Sequence, residues 1–173
     1  MIQTKRLQIV PFEMKFLKDY CEGFNTEIAK YQWPDPFETP EDAKPVLQGF
    51  MDEMEAEEIL FYSILDNDGK FVGSVEVHGL SGECPELGVW ITEQEQKKGY
   101  AYEALSEVLD YACRNYHKEA FFYEADIRNE GSTKLLHKLG EHFDILKRDL
   151  EELTTDSGKE LKLQGYVLKV KKI

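Results

Sequence analysis

The sequence has few of the features that mark disulfide-bonded, metal-binding or membrane proteins. Its three cysteines, Cys21, Cys84 and Cys113, are widely spaced and form no Cys-x-x-Cys pair, so we expect no disulfide framework. The four histidines form no His-Glu-x-x-His spacing, and we expect no bound metal. No run of about 18 apolar residues occurs, and the first residues lack the apolar core of a signal peptide. We therefore expect a cytoplasmic protein that does not act at a membrane.

Motifs that bind nucleotide phosphates or present a nucleophile are also missing. The absence of Gly-x-x-x-x-Gly-Lys-[Ser/Thr], Gly-x-Gly-x-x-Gly and Gly-x-Ser-x-Gly argues against kinases, dinucleotide oxidoreductases and α/β-hydrolases. Basic residues are few, since 21 Lys and Arg stand against 34 Asp and Glu, which gives a net charge of −13. That balance argues against a nucleic-acid partner. It permits a cationic substrate, although a solvated acidic surface has the same composition.

The length and hydrophobic pattern predict one domain over residues 1–173, because 42% hydrophobic residues are enough for a sizeable core. Periodicity and turn residues predict strands over 3–10, 59–65, 70–80, 85–92, 120–128, 143–150 and 162–170. Helices are predicted over 13–24, 39–58, 100–112 and 132–140. Hairpins imply antiparallel pairs, and the strands joined by a helix imply a parallel step. We expect an α/β (α+β) fold with a mixed, mostly antiparallel sheet of about seven strands and helices on both faces.

The segment EQEQKKGYAYEALSEVLDYA, residues 93–112, carries the clearest chemical signal. From Gly99 onward it is typical of an amphipathic helix, whose N-terminus would present free N–H groups and a partial positive charge. Lys97 and Lys98 do not stabilise a helix at that end, but they would suit an anion bound there. The alternative is that they are solvated loop lysines offset by nearby Glu93, Glu95 and Glu103.

The order of elements, together with ELGVWITEQEQKKGYAYEALSEVLDYA and NEGSTKLLHKLG, resembles the GNAT superfamily of acyl-CoA-dependent N-acyltransferases. Within it, the chain is most similar to the RimJ/RimL-type branch of ribosomal-protein N-terminal acetyltransferases, as the segments TKRLQIVPF and YQWPDPFETPEDA also indicate. The resemblance covers nearly the whole chain. It implies transfer of an acetyl group from acetyl-CoA to a primary amine by direct attack in a ternary complex, without a metal.

The resemblance also implies a coenzyme site. The family's pyrophosphate loop, Gln/Arg-x-x-Gly-x-Gly/Ala, corresponds to residues 96–101, and the strand before it would pair the pantetheine arm through its main chain. The implied residues are Trp90, Ile91, Thr92, Gln96, Lys97, Lys98, Gly99, Tyr100, Ala101, Tyr102 and Asn129. Lys97 departs from the glycine common at its position, and Tyr102 from a Thr or Ser. Asn129 would also serve as a helix cap.

Catalytic candidates follow from the need to deprotonate an ammonium group. Glu86 is the first candidate for the base and Glu76 the second, with a solvated strand face as the alternative for both. Ser132 matches the family serine near the sulfur, or is simply a first-turn helix serine. The loop YQWPDPFETP, residues 31–40, is restrained by three prolines. Its aromatic residues Tyr31, Trp33 and Phe37 would either form a wall of the acceptor site or cover the core.

The acceptor itself stays open among a protein N-terminus, a polyamine and other small amines. No nucleic-acid or membrane partner is expected, and the chain would act as a monomer or homodimer. After the last helix the chain reads Gly140-Glu141-His142-Phe143 where the family has Gly-Phe. The two extra residues would shift the following strand, which in the family borders the acceptor site. Two other functions remain: a non-catalytic acyl-CoA-binding sensor, and an interaction module that docks a basic partner on the acidic face.

Overall fold

A computed structural model describes residues 1–172 and contains one sheet in the order β1-β2-β3-β4-β5-β6-β8-β7. The strands are β1 Ile2–Gln3, β2 Leu7–Pro11, β3 Ile59–Asp66, β4 Phe71–His78, β5 Glu86–Ile91, β6 Ala120–Asp126, β7 Phe143–Thr154 and β8 Glu160–Val170. All neighbouring pairs are antiparallel except β5 and β6, which are parallel. The mixed, mostly antiparallel sheet predicted from the sequence is therefore confirmed.

The sheet has eight strands because the predicted first strand is divided. A tight turn, in which the amide of Thr4 donates to the carbonyl of Leu7 at 2.9 Å, separates β1 from β2. The two pieces then pair with each other as an antiparallel hairpin. Pro11 ends β2, as its missing N–H predicts.

In the described part of the chain, four α-helices lie beside the sheet: α1 Leu17–Gly23, α2 Pro40–Glu55, α3 Tyr100–Tyr116 and α4 Glu130–Leu139. Thr39 caps α2 as predicted, since its hydroxyl accepts from the amide of Asp42 at 3.2 Å. The helix ends a few residues earlier than predicted, and Glu57 then adopts a left-handed conformation with φ 59°. No helix within residues 1–172 is long and apolar enough to cross a membrane.

Two apolar clusters cover the two faces of the sheet. The first packs the buried stripe of α3, including Leu105, Val108 and Leu109, against β4, β5 and β6. The second packs α1 and α2 on the opposite face, around Phe12 and Phe61. Successive residues of β5 therefore contribute to different clusters.

A gap opens between β5 and β6, and it positions the site described below. The two strands share one residue pair, Glu86 with Phe122, next to a bond of 2.9 Å from the amide of Phe122 to the carbonyl of Pro85. On its other edge β5 pairs with β4 along its whole length, from Glu86 to Ile91. Beyond Glu86, the edge of β5 that faces β6 has no strand partner among residues 1–172.

Candidate active site

The loop that enters α3 leaves a run of main-chain amides unbonded. Lys97 and Gly99 both adopt left-handed conformations, with φ of 64° and 84°. The first bond of the helix runs from the amide of Glu103 to the carbonyl of Gly99 at 3.1 Å, and the amides of residues 97–102 donate to no acceptor in the described chain. A left-handed turn that leads into a helix N-terminus is an anion-binding arrangement.

Arg6 on the first hairpin holds this loop in place. Its Nη1 donates to the carbonyl of Lys98 at 2.8 Å, and its Nη2 lies 2.6 Å from Oε2 of Glu103. Burial would raise the pKa of Glu103, but hydrogen bonds from Thr4 and Arg6 outweigh it and lower that pKa. Sequence reasoning did not identify Arg6, because its partners lie more than ninety residues away.

The two lysines of the loop differ in their surroundings. The ammonium of Lys98 lies 2.5 Å from Oε2 of Glu95, whose other oxygen lies 2.7 Å from Lys70 Nζ. Hydrogen bonds from these two lysines lower the pKa of the buried Glu95 carboxyl. The Lys98 side chain is therefore a loop lysine whose charge is offset by a nearby glutamate, which is the second of the two interpretations given above. Lys97 is exposed and forms no ion pair with any described residue.

The edge of β5 at the gap offers main-chain groups of two residues. The amide of Thr92 donates to the carbonyl of Val72 at 2.9 Å, so the alternation of an antiparallel ladder turns the main chain of Trp90 toward β4 as well. The main-chain groups of Val89 and Ile91 face the gap instead. The main chains of Trp90 and Thr92, which the sequence indicated for the pantetheine arm, thus pair with β4, whereas Val89 and Ile91 present theirs to the gap. The sequence does not reveal the register that decides between them.

Asn129 serves as the cap of α4 and keeps a second group free. Its Oδ1 accepts from the amide of Ser132 at 3.1 Å, which confirms the cap. Its Nδ2 donates to no acceptor among residues 1–172, and the residue lines the cleft described next. The hydroxyl of Ser132 is likewise without a described partner, while the Ser132 carbonyl accepts from the buried Tyr123 hydroxyl at 2.9 Å.

A cleft of about 800 Å³ brings most of the remaining candidates together. It lies between the strands β4 to β7 and the segment formed by α1, α2 and the aromatic loop. The predicted residues that line it are Tyr31, Trp33, Phe37, Glu76, Glu86, Trp90, Asn129 and Ser132. Ile91, Thr92 and residues 96–102 are not part of its wall. Trp33 is 64% exposed, which places it at the rim.

The polar lining of the cleft is acidic. Four glutamates line it, and no lysine or arginine is among the lining residues; the four are Glu76, Glu86, Glu124 and Glu151. Burial raises the pKa of Glu124, and the charges of Glu86 and Glu151 raise it further. Sequence reasoning missed Glu124 and Glu151, because β6 and β7 are brought together only through their shared neighbour β8.

Glu76 is engaged by its neighbours, whereas Glu86 is not. Oε2 of Glu76 lies 2.9 Å from Nε2 of His78, and its Oε1 accepts from Tyr20 and Ser74, each at 3.3 Å. The hydrogen bond to Glu76 raises the pKa of His78. Glu86 is exposed, faces His78 across the β4–β5 ladder and accepts no hydrogen bond from a described residue. His78 is a further titratable group of the cleft that sequence reasoning did not single out.

Known proteins resemble this chain in sequence family and in fold. Residues 6–142 match the Acetyltransferase (GNAT) domain family. The "uncharacterized N-acetyltransferase p20" of Bacillus licheniformis is 24% identical over 155 residues, which cover 87% of each chain. The fold is similar to that of RimL, a ribosomal L7/L12 α-N-protein acetyltransferase in complex with coenzyme A, with a TM-score of 0.82 at 14% identity over 96% of both chains. Spermidine N-acetyltransferase from Vibrio cholerae, in complex with CoA and spermine, gives a TM-score of 0.79 at 16% identity over 96% of this chain and 97% of that one.

Proposed function

The chain belongs to the GNAT acetyltransferase family, and from this premise we propose that it transfers the acetyl group of acetyl-CoA to a primary amine by direct attack in a ternary complex. The whole chain, residues 1–173, would act as one acyl-CoA N-acyltransferase domain. The observation that supports the proposal most is the run of unbonded amides over residues 97–102, next to the open edge of β5. The acidic cleft, which reaches that edge at Val89, would hold the acceptor.

The residues that fit the coenzyme are main-chain groups more than side chains. The amides of residues 97–102 would bind the pyrophosphate, and the exposed ammonium of Lys97 would add charge. The edge of β5 at Val89 and Ile91 would pair with the amides of the pantetheine arm as an added strand does. Asn129 would donate from Nδ2, the atom that its capping role leaves free.

The acceptor cleft fits an alkylammonium group that arrives charged and reacts neutral. Four carboxylates without a lysine or arginine attract such a cation. An amine of pKa about 10.4 is neutral only about once in 10³ at pH 7, so a base must take its proton. Glu86 would accept that proton before the attack. As the N–C bond forms and the C–S bond breaks, Ser132 would donate its hydroxyl proton to the thiolate and take up the second proton that the nitrogen loses, so that its hydroxyl is restored.

Glu76 fits the role of base less well than the sequence alone indicated. Its carboxylate already contacts His78, Tyr20 and Ser74, so we assign it to orienting His78 and shaping the cleft. Glu86 accepts no hydrogen bond from any residue among 1–172. Glu86→Gln should lower kcat at least tenfold across about pH 6 to 9 while acetyl-CoA binding is retained. Wild-type turnover in Glu86→Gln would transfer the assignment to His78, for which His78→Gln is the matched variant.

Thermal melting with and without acetyl-CoA, followed by thiol release in the same sample on adding a panel of amines, tests the proposal. Acetyl-CoA at a hundred times its dissociation constant should add about 2.7 kcal/mol to the free energy of unfolding. A shifted melt with amine-dependent thiol release would establish the transferase. A shift without release from any amine would favour the acyl-CoA sensor. An unshifted melt at millimolar acetyl-CoA would overturn the coenzyme site.

A further inference from the structure

The aromatic loop at the cleft, residues 31–37 and here called the acceptor loop, has no regular structure after Tyr31. It nevertheless forms one wall of the cleft through Tyr31, Trp33 and Phe37. We propose that Asp35 and Lys159 form a latch between the acceptor loop and the turn joining β7 to β8, and that this latch determines which amines the cleft accepts. The inference rests on the proposed function, because it concerns the acceptor of that reaction.

Asp35 makes the latch from the side of the loop. Its Oδ1 accepts from the hydroxyls of Thr155 at 3.1 Å and Ser157 at 2.9 Å, and its Oδ2 accepts from the amide of Ser157 at 3.1 Å. Lys159 Nζ lies 3.2 Å from Oδ1. Burial would raise the pKa of Asp35, but hydrogen bonds from Ser157, Thr155 and Lys159 outweigh it and lower that pKa to about 2. The carboxylate is thus charged and fully engaged at physiological pH.

Lys159 makes the latch from the side of the turn. Besides Asp35, its ammonium donates to the carbonyls of Ala29 at 2.7 Å and Gln32 at 2.6 Å. These carbonyls belong to the short 3-10 helix that leads into the acceptor loop and to the residue after it. A charge-assisted donor shared among three acceptors fixes the start of the loop and Asp35 relative to each other.

A second contact holds Tyr31, the first residue of the loop. The Arg128 guanidinium lies 4.9 Å from the centre of the Tyr31 ring and is itself fixed by the buried Asp126, with two bonds of 2.8 Å. The loop is therefore anchored at Tyr31 and Asp35. Trp33 lies between these anchors at the rim of the cleft.

The position of the latch indicates an effect on the acceptor and not on the coenzyme. β7 contributes Glu151 and Leu153 to the cleft, so the latch joins two of its walls. None of Asp35, Thr155, Ser157 and Lys159 lines the cleft, which makes them positioning residues. The latch also makes no contact with residues 96–102 among the described hydrogen bonds. A long acceptor that reaches the rim should depend on the latch more than a short one.

Steady-state kinetics with a short alkylamine and a peptide bearing a free N-terminus test this. Asp35→Ala and Lys159→Met should each raise the KM of the peptide, the long acceptor, about tenfold. The KM of the short amine and the affinity for acetyl-CoA should each change by less than about twofold. Lys159→Arg, which keeps the charge and donors, should stay within about twofold of wild type. Asp156→Ala is the matched control, because Asp156 lies in the same turn, is exposed and forms no hydrogen bond or ion pair with a described residue of the acceptor loop.

Equal losses for the long acceptor, the short amine and acetyl-CoA would overturn the proposal, since they would report a general loss of structure. An unchanged KM in Asp35→Ala would overturn it as well. Hydrogen–deuterium exchange of the acceptor loop tests the latch without turnover: exchange should be faster in Asp35→Ala and unchanged in Asp156→Ala. If the wild-type protein releases no thiol with any amine, the proposed function fails while the exchange result still decides whether the latch exists.

Discussion

Single residues with unusual backbone conformations shape the proposed phosphate site. Gly99 has φ 84°, and a Cβ added there would meet only Arg6 Nη2, at 3.4 Å. Space is therefore not what requires a glycine; the left-handed backbone is. Lys97 adopts the same region at φ 64° although it has a side chain. Strain of this kind collects at ligand sites, and here it accompanies the unbonded amides of residues 97–102.

Gly99→Ala should separate strain from function when it is compared with Gly69→Ala. Gly69 has φ 82° with no atom within 4 Å of an added Cβ, and it lies in the β3–β4 turn. Both substitutions should lower the free energy of unfolding by about 1 kcal/mol. Only Gly99→Ala should weaken the binding of acetyl-CoA, by about tenfold, because the strained alanine shifts the neighbouring amides. Calorimetric titration measures this, and equal affinities in the two variants would contradict the loop assignment.

At the scale of elements, the site lies where two strands separate and two helices begin. β5 and β6 diverge after one residue pair, α3 begins just beyond β5, and α4 begins just beyond β6. Each helix thus presents its N-terminus near the gap, where its free amides and partial charge favour an anion or a polar arm. The side chain of Asn129 joins two of these functions, since one atom caps α4 and the other stays free.

Three substitutions at Asn129 should distinguish the cap from the ligand contact. Asn129→Asp keeps an oxygen for the amide of Ser132 but removes the Nδ2 donor, so stability should be retained while acetyl-CoA binds more weakly. Asn129→Ala removes both and should also lower the free energy of unfolding by about 1 kcal/mol. Asn129→Ser supplies an uncharged cap and controls for the added negative charge. Melting curves with and without acetyl-CoA measure both effects; wild-type affinity in Asn129→Asp and Asn129→Ser would exclude the contact.

Asp126 at the end of β6 should make stability depend on acid pH. Burial would raise its pKa, but hydrogen bonds from Arg128 and the amide of Lys162 outweigh it and lower the pKa to about 2. Because the folded value is lowered, the stabilisation is present above the unfolded pKa of about 3.9 and is lost as the pH falls through about 2. Asp126→Asn should cost about 2 kcal/mol at pH 7, and the difference from wild type should shrink between about pH 4 and 2. Urea unfolding measures it; a difference independent of pH would point to lost packing instead.

Local signals in the sequence predicted more of the coenzyme side than of the acceptor side. The strand, glycine loop and helix around Gly99 are contiguous in sequence, so their order alone indicated the free amides. Val89, by contrast, depends on which edge of β5 faces β4, and that is decided by register with a distant strand. Glu124 and Glu151 meet across a sheet order that sequence periodicity does not determine. The latch joins Asp35 to Ser157, 122 positions apart, through polar side chains that carry no periodic signal.

At the scale of the whole molecule, charge is distributed unevenly around the proposed site. The chain has a net charge of −13, and the cleft lining contains four glutamates without a lysine or arginine. The loop before α3, in contrast, carries the exposed Lys97, which forms no ion pair with any described residue. An anionic donor and a cationic acceptor would therefore approach surfaces of opposite sign, which favours correct placement of both substrates.

The salt dependence of the acceptor KM should report the charge of the cleft. Raising the ionic strength from about 20 mM to about 300 mM shortens the screening length to well under about 10 Å. The KM of a diamine should then rise several-fold, and that of a monoamine of the same chain length less, because only the diamine has a second ammonium to be attracted.

Glu151→Gln should reduce the difference between the two amines, since Glu151 lines the cleft. Glu141→Gln removes the same charge at an exposed position outside the cleft and should leave the difference unchanged. Equal salt dependence for diamine and monoamine would mean that the four glutamates do not act on the acceptor, and that the acidic balance serves only the solvated surface.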